Sequence, residues 1–246
     1  TPVGISRVSP QAAYRLQTES VLSTGQPSDA SRIVLRRNGL LDRFNKEPAA
    51  VLAELHRGLG PAGDEERLFA LSELSFFHGE RTGDRGYFLA SAVYAYALLF
   101  PGTGEHVQLD LSDPRLRLTY ALYNQALAQG LSDSPAGPRT ARRVKDAEVR
   151  LLAGARPLPF GMLDLEVDPA GLTWAGYALE HFVPTTTLEI RGLRNRYRRP
   201  GIGAPLAASL APSAAGTPPI GAERIGPRTK VPVTAFVRFE SPRAGL

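Results

Sequence analysis

Up to about Leu131 the apolar residues recur at three- and four-residue intervals, the period of a helix with one buried face. Ser9-Pro10 places a capping hydroxyl before a proline at the first helical position, and Ala12, Ala13 and Leu16 continue the pattern toward Leu22. Ser28-Asp29 predicts a second helix, interrupted near Gly39, with Ile33, Val34, Leu40, Leu41 and Phe44 as its apolar positions. Pro48 opens a third, in which Leu52, Leu55 and Leu59 share a face. Asp64-Glu65-Glu66 then sets carboxylates at the positive end of a helix dipole, ahead of Leu68, Leu71, Leu74 and Phe77. Gly83-Asp84 breaks that helix. The stretch that follows, GYFLASAVYAYALLF over residues 86–100, carries no charge. It is too short for an ordinary membrane span, so it predicts a central buried helix whose alanines admit close neighbours. Pro101-Gly102 ends it, and Asp113-Pro114 starts another helix with Leu116, Tyr120, Tyr123 and Leu127 along one side. A tetratricopeptide repeat anchored on Pro101 fails, because Tyr96 falls where a small residue belongs and Glu80 where an aromatic does. An irregular helical bundle is the reading that remains.

The period then changes to two. Ser132 to Arg139 is rich in serine, proline and glycine and marks a boundary, and Thr140 to Glu148 reads as one more short helix. Leu163, Leu165 and Val167 alternate with Asp164 and Glu166, a half-buried strand closed by the turn Asp168-Pro169-Ala170-Gly171. Leu172 to Val183 reads as strand followed by an irregular turn, and Thr187 to Arg191 as a further short strand. Val233, Ala235, Val237 and Phe239 form another apolar face, with Pro232 suited to an edge or a strand start. Between these, Gly203 to Thr229 is rich in alanine, proline, glycine and serine with little periodicity and predicts a long loop. The fold class is therefore α+β: a helical bundle over residues 1–135, then a small β-rich region over 136–246 that residues outside this chain would complete.

Charge is unevenly placed. Residues 1–140 carry 14 Lys/Arg and 15 Asp/Glu, the remainder 15 and 9, so any attraction to anions belongs to the second half. Lysine occurs only at positions 46, 145 and 230. The arginine excess fits recognition of phosphate or carboxylate and equally fits a compositional bias shared with the abundant Ala, Gly and Pro. No cysteine is present, which excludes thiol catalysis and cysteine-ligated metal within the chain. The chain begins at Thr1 without a signal-like segment, as a processed export precursor or a fragment would.

The sequence contains no G-x-S-x-G elbow, P-loop or G-x-G-x-x-G. His56, His78, His106 and His181 are scattered without metal-ligand spacing, so no metal and no cofactor is expected. Asp164 and Glu166 share a face, as paired carboxylates for glycoside chemistry would, but a solvated polar face accounts for them. The tyrosines at 87, 94, 96, 120 and 123 read as core packing with hydroxyls turned to partners. What stands out is Arg191-Gly192-Leu193-Arg194-Asn195-Arg196-Tyr197-Arg198-Arg199-Pro200-Gly201-Ile202-Gly203. If extended, Arg194, Arg196 and Arg198 share one side and Tyr197 the other. Arg194, Arg196, Tyr197, Arg198, Arg199, Gly201 and Gly203 are the candidate anion or partner contacts. Two readings stand: an outward surface for a carboxylate, a lipid phosphate or a partner's acids, and an internal role satisfying loop carbonyls. Nucleic acid is disfavoured, because the charge is local and stacking aromatics are lacking beyond Tyr197.

TPVGISRVSPQAAYR, the pair FALSELSFF and YFLASAVYAYALLFP, DPRLRLTYALYNQAL and RGLRNRYRRPGIGAPLAA together resemble a group of bacterial exported proteins. In that group such a region precedes an α/β-hydrolase, lipase-like domain, often in a predicted lipoprotein. The resemblance covers nearly the whole chain, but the group's nucleophile and its acid and histidine partners lie downstream, so no catalytic residue is assigned. It implies a non-catalytic N-terminal accessory region, exported to the periplasm, the outer membrane or the exterior. Its implied partner is a protein, or the hydrolase domain itself, with membrane association in the lipoprotein form. The competing expectation is a structural or assembly subunit of an extracytoplasmic complex without a hydrolase role.

Overall fold

The computed structural model describes residues 4, 6–60, 64–101, 112–133, 148–174, 176–188, 201–212 and 229–240. Among the described residues eight helices fill the first part: α1 Pro10–Thr18, α2 Val21–Thr24, α3 Asp29–Arg37, α4 Leu41–Lys46, α5 Pro48–Arg57, α6 Glu65–Thr82, α7 Arg85–Leu99 and α8 Pro114–Gly130. Local chemistry sets many of their ends. The Ser9 hydroxyl accepts from the Ala12 N–H at 3.2 Å, and the carboxylates of Asp84 and Asp113 accept from Gly86 and Arg115 N–H, each at 2.8 Å. Gly83 ends α6 at φ 73°, a left-handed conformation that costs glycine little. The predicted interruption near Gly39 separates α3 from α4. The first helical run stops sooner than its pattern suggests: α1 ends at Thr18, and α2 is a separate turn.

The uncharged helix lies where its composition demands. Every residue of α7 from Phe88 to Leu98 is buried, with α6 on one side and α8 on another. Small residues make that approach possible. A Cβ added at Gly130 would lie 2.7 Å from the Leu89 side chain, and one at Gly79 would lie 3.1 Å from the Phe88 ring. The Ser72 hydroxyl donates to the Ser91 carbonyl at 3.0 Å, satisfying a polar group inside this seam.

One buried charge organises the helices packed outside α6. Glu73 is fully buried, yet its carboxylate accepts from the N–H of Val21 and Ser28 at 3.0 Å and from the hydroxyls of Ser28 and Ser31 at 2.6 Å. It thereby meets donors at the start of α2 and the positive end of α3. A carboxylate so surrounded is tolerated because four donors replace its water.

The β part has two antiparallel sheets. β1 Gly154–Leu158 and β2 Gly161–Leu165 form a hairpin, and β3 Thr173–Trp174, β4 Tyr177–Pro184, β5 Ala204–Pro212 and β6 Lys230–Ala235 follow one another in spatial order. The strand expected at 163–167 is found as β2, which begins two residues earlier and ends at Leu165, and Pro232 lies in a strand that is at the edge among the described residues; β1 carries no comparable signal. Three features differ from expectation. Residues 172–183 hold a short strand, a turn and then the long strand β4. Thr185–Thr187 is a 3-10 turn, and the rest of the short strand expected at 187–191 falls largely outside the described residues. The segment expected to be loop from Gly203 contains β5, a central strand of its sheet, over its first part. Ala204, Leu206 and Ala208 are buried in the core cluster on the face that meets α8, so packing between two strands and a helix makes a strand of residues with weak β-propensity. The helix expected over 140–148 lies almost entirely outside the described residues.

Prolines fix which backbone groups face outward. In β6, Pro232 is opposite Ala207 and Thr234 is opposite Pro205. Proline cannot donate, so these are non-hydrogen-bonded pairs, and the Thr234 N–H and C=O point away from β5. Likewise Pro157 opposite Met162 leaves the backbone of Met162 and Asp164 pointing away from β1. Among the described residues β2 is laddered only to β1 and β6 only to β5. The buried side chains of helices and strands form a single hydrophobic cluster, with Leu122, Tyr123 and Leu127 of α8 joined to Leu206 and Ala208 of β5.

Candidate functional site

Of the candidate contacts, Arg194, Arg196, Tyr197, Arg198 and Arg199 lie outside the described residues. Gly201 and Gly203 are described, and both are held by one side chain. The Asn124 amide donates to the Gly201 carbonyl at 2.7 Å, and its oxygen accepts from the Gly203 N–H at 2.6 Å. Gly203 has φ 118°, and a Cβ there would lie 2.6 Å from the Thr234 methyl and 2.8 Å from the Ala235 carbonyl. At Gly203 the positive φ and the close approach of β6 require a glycine.

The residue before Asn124 makes a matching contact. The Tyr123 hydroxyl donates to the Val237 carbonyl and accepts from the Val237 N–H at 3.1 Å. One phenol thus pairs with a strand-like backbone just past the end of β6, and burial pushes its ionisation up. Neighbouring α8 positions grip the two strands at one end of the β5–β6 ladder, where Ala204 pairs with Ala235: Asn124 holds the chain entering β5 and Tyr123 the chain leaving β6.

Beside this ladder lies a cleft of about 760 Å³. Every residue from Met162 to Asp168 and every residue from Val233 to Glu240 borders it. The strand residues in these runs, 162–165 of β2 and 233–235 of β6, belong to strands that stand at the edges of their sheets among the described residues. Val93 of α7 and Phe182 of β4 lie deeper. Three large apolar side chains remain in water at the walls: Leu152 is 55% exposed, Met162 67% and Phe236 50%. One side of Phe236 rests on Tyr96, Phe100 and Tyr123, with ring centroids 6.1–6.3 Å away. The rim is mostly acidic, with Asp164, Glu166, Asp168 and Glu240 against Arg238. Asp164 and Glu166 are exposed there, as a solvated polar face requires.

The histidines are dispersed. His56 stacks on Phe160 at the hairpin turn, centroids 4.7 Å apart, and its Nδ1 lies 3.0 Å from the Tyr94 hydroxyl. Burial lowers the His56 pKa and raises that of Tyr94. His78 packs edge-on against Tyr87; burial lowers its pKa, with Asp84 opposing and Arg81 adding to the shift. His181, at a bulge in β4 with φ 50°, lies 3.2 Å from the Glu148 carboxylate. His106 lies outside the described residues. Among the described residues no three His, Asp or Glu side chains converge as a metal site would require, and no helix is long and apolar enough to cross a membrane. The buried tyrosines agree with their reading as core, since Tyr94 and Tyr123 turn their hydroxyls to His56 and Val237.

Sequence reasoning missed the cleft. Its two walls are separated by about seventy residues of chain, and nothing in either wall announces the other. The signal available was weaker: a proline-flanked strand at 230–235 that presents an edge, and an apolar methionine at a position facing water. Comparison with known proteins adds nothing to this geometry: no protein-family model, curated protein or solved structure matches this chain.

Proposed function

We propose that this chain is the non-catalytic accessory region of an exported α/β-hydrolase-like protein, and that its cleft is where a polypeptide, the hydrolase domain, docks. The observation that carries the docking role is the cleft, in which two sheet edges and the exposed side chains of Leu152, Met162 and Phe236 line one concavity. Apolar groups left in water beside strand edges that no other described strand pairs gain most from a polypeptide, which supplies both backbone hydrogen bonds and apolar cover. The hydrolase part of the reading rests on the sequence resemblance, as does the extracytoplasmic location.

The test has two arms. A photo-crosslinking residue at Met162, introduced into the protein in its native cell, is expected to capture a polypeptide that carries a hydrolase domain, in the same chain or another. Capture of a partner without such a domain would favour an assembly subunit, and no polypeptide on the cleft would overturn the docking role. Purified chain is expected to hydrolyse short acyl esters no faster than a boiled control. Turnover above that control would overturn the non-catalytic role.

A further inference from the structure

We infer that the cleft receives an extended polypeptide segment carrying lysine or arginine between apolar residues, hydrogen-bonded along the edge of β6 that no other described strand pairs. This rests on the reading of the cleft as a docking site and names the chemistry of its occupant. Three observations argue for it. The first is backbone geometry: the proline-set register leaves the Thr234 N–H and C=O directed away from β5, into a cleft that residues 233–240 border without a gap. An added strand has donors and acceptors for those groups; a rigid surface loop or a helix does not. Tyr123 occupies the Val237 backbone from the opposite side, so the free groups of this segment are those of alternate residues facing the cleft.

The second is apolar: Met162 and Phe236 stand exposed on the two walls and give an intruding strand side chains to cover. The third is charge. The chain as a whole is net positive by 5, yet Asp164, Glu166 and Glu240 border this cleft with Arg238 as the opposing charge. That field attracts a cationic segment and repels the anionic headgroup of a lipid or the carboxylate of a fatty acid.

The experiment uses the full chain and fluorescent peptides in which lysine alternates with valine, read by anisotropy at low salt and again at high salt. The lysine–valine peptide is expected to bind, and its glutamate–valine counterpart to bind at least about tenfold more weakly, a gap that narrows with salt. N-methylation of alternate peptide amides is expected to weaken binding. Thr234→Pro removes the outward N–H while keeping an edge residue of the kind already present at Pro232, and is expected to weaken binding by about tenfold. The double variant Asp164→Lys with Glu240→Lys, both at exposed positions, is expected to shift preference toward the glutamate peptide. Far-UV circular dichroism and the urea midpoint establish that each variant is folded.

Equal binding of the two peptides would overturn the cationic occupant. Binding that ignores N-methylation and Thr234→Pro would overturn strand addition. Insertion of the chain into anionic vesicles that competes with the lysine peptide would replace the polypeptide by a lipid. These failures are separable from failure of the docking role, which is read by cross-linking at Met162: a captured hydrolase domain with indiscriminate peptides sinks only the inference made here.

Discussion

Removing the Glu73 carboxylate tests whether a buried charge holds the outer helices onto the core. Glu73→Leu keeps roughly the volume and removes every acceptor. The hydroxyls of Ser28 and Ser31 can turn elsewhere, but the backbone N–H groups of Val21 and Ser28 cannot. Two buried donors left without a partner cost about 1–3 kcal/mol each, and relief of the carboxylate's own desolvation offsets part of this. The expected net loss is about 3 kcal/mol. Glu73→Gln keeps one oxygen for the two N–H groups and presents an amide to hydroxyls that can reorient, so its expected loss is about 1 kcal/mol. Urea unfolding followed by circular dichroism measures the global term. Amide exchange reads the local one: protection at Val21 and Ser28 should fall on the order of a hundredfold in the leucine variant, since each 1.4 kcal/mol is about tenfold. A leucine variant within about 0.5 kcal/mol of the parent, or a glutamine variant as unstable as leucine, would refute the argument.

Asn124→Leu removes both hydrogen bonds to Gly201 and Gly203 and is expected to cost about 1–3 kcal/mol, checked by urea titration, with faster amide exchange at Gly203. Gly130→Ala pushes a methyl to within 2.7 Å of Leu89 and is expected to destabilise by about 1–3 kcal/mol in the same titration. Lowered pKa values at His56 and His78 mean that the unfolded chain binds more protons than the folded one around the ordinary histidine pKa. The stability these groups supply is complete above about pH 6.5 and is lost as pH falls through the ordinary value toward the folded ones. Urea midpoints measured at stepped pH should therefore drop on mild acidification, and His56→Gln should make the drop shallower.

Features written in neighbouring residues were legible before the fold was known. Ser9 and Asp113 announce helix starts because a cap acts within three residues, and the uncharged run from Gly86 predicts a buried helix. The edge character of Pro232 follows from its missing donor. The rest depends on distant partners. Glu73 is indistinguishable from a surface glutamate until Val21, Ser28 and Ser31 arrive from 42 to 52 residues away. β5 is strand because α8 covers its alanines and two strands flank it, and no propensity scale encodes that. The hold on Gly203 could not be read locally, because Asn124 lies 79 residues earlier. The cleft was hidden for the same reason, since a wall is visible only beside the wall that faces it.

The helix α7 sets a limit on how this protein can change over generations. Its residues from Phe88 to Leu98 are enclosed all round, so no side of the helix can absorb a bulkier side chain or a charge without moving α6, α8 or the hairpin packed on it. Helices such as α3 and α5, with solvent on one flank, are free to drift. Distant descendants of this chain should therefore diverge first in those outer helices and last along the aromatic-and-alanine rod they surround. The rhythm FLASAVYAYAL, more than any charged residue, is the mark by which such descendants would be known.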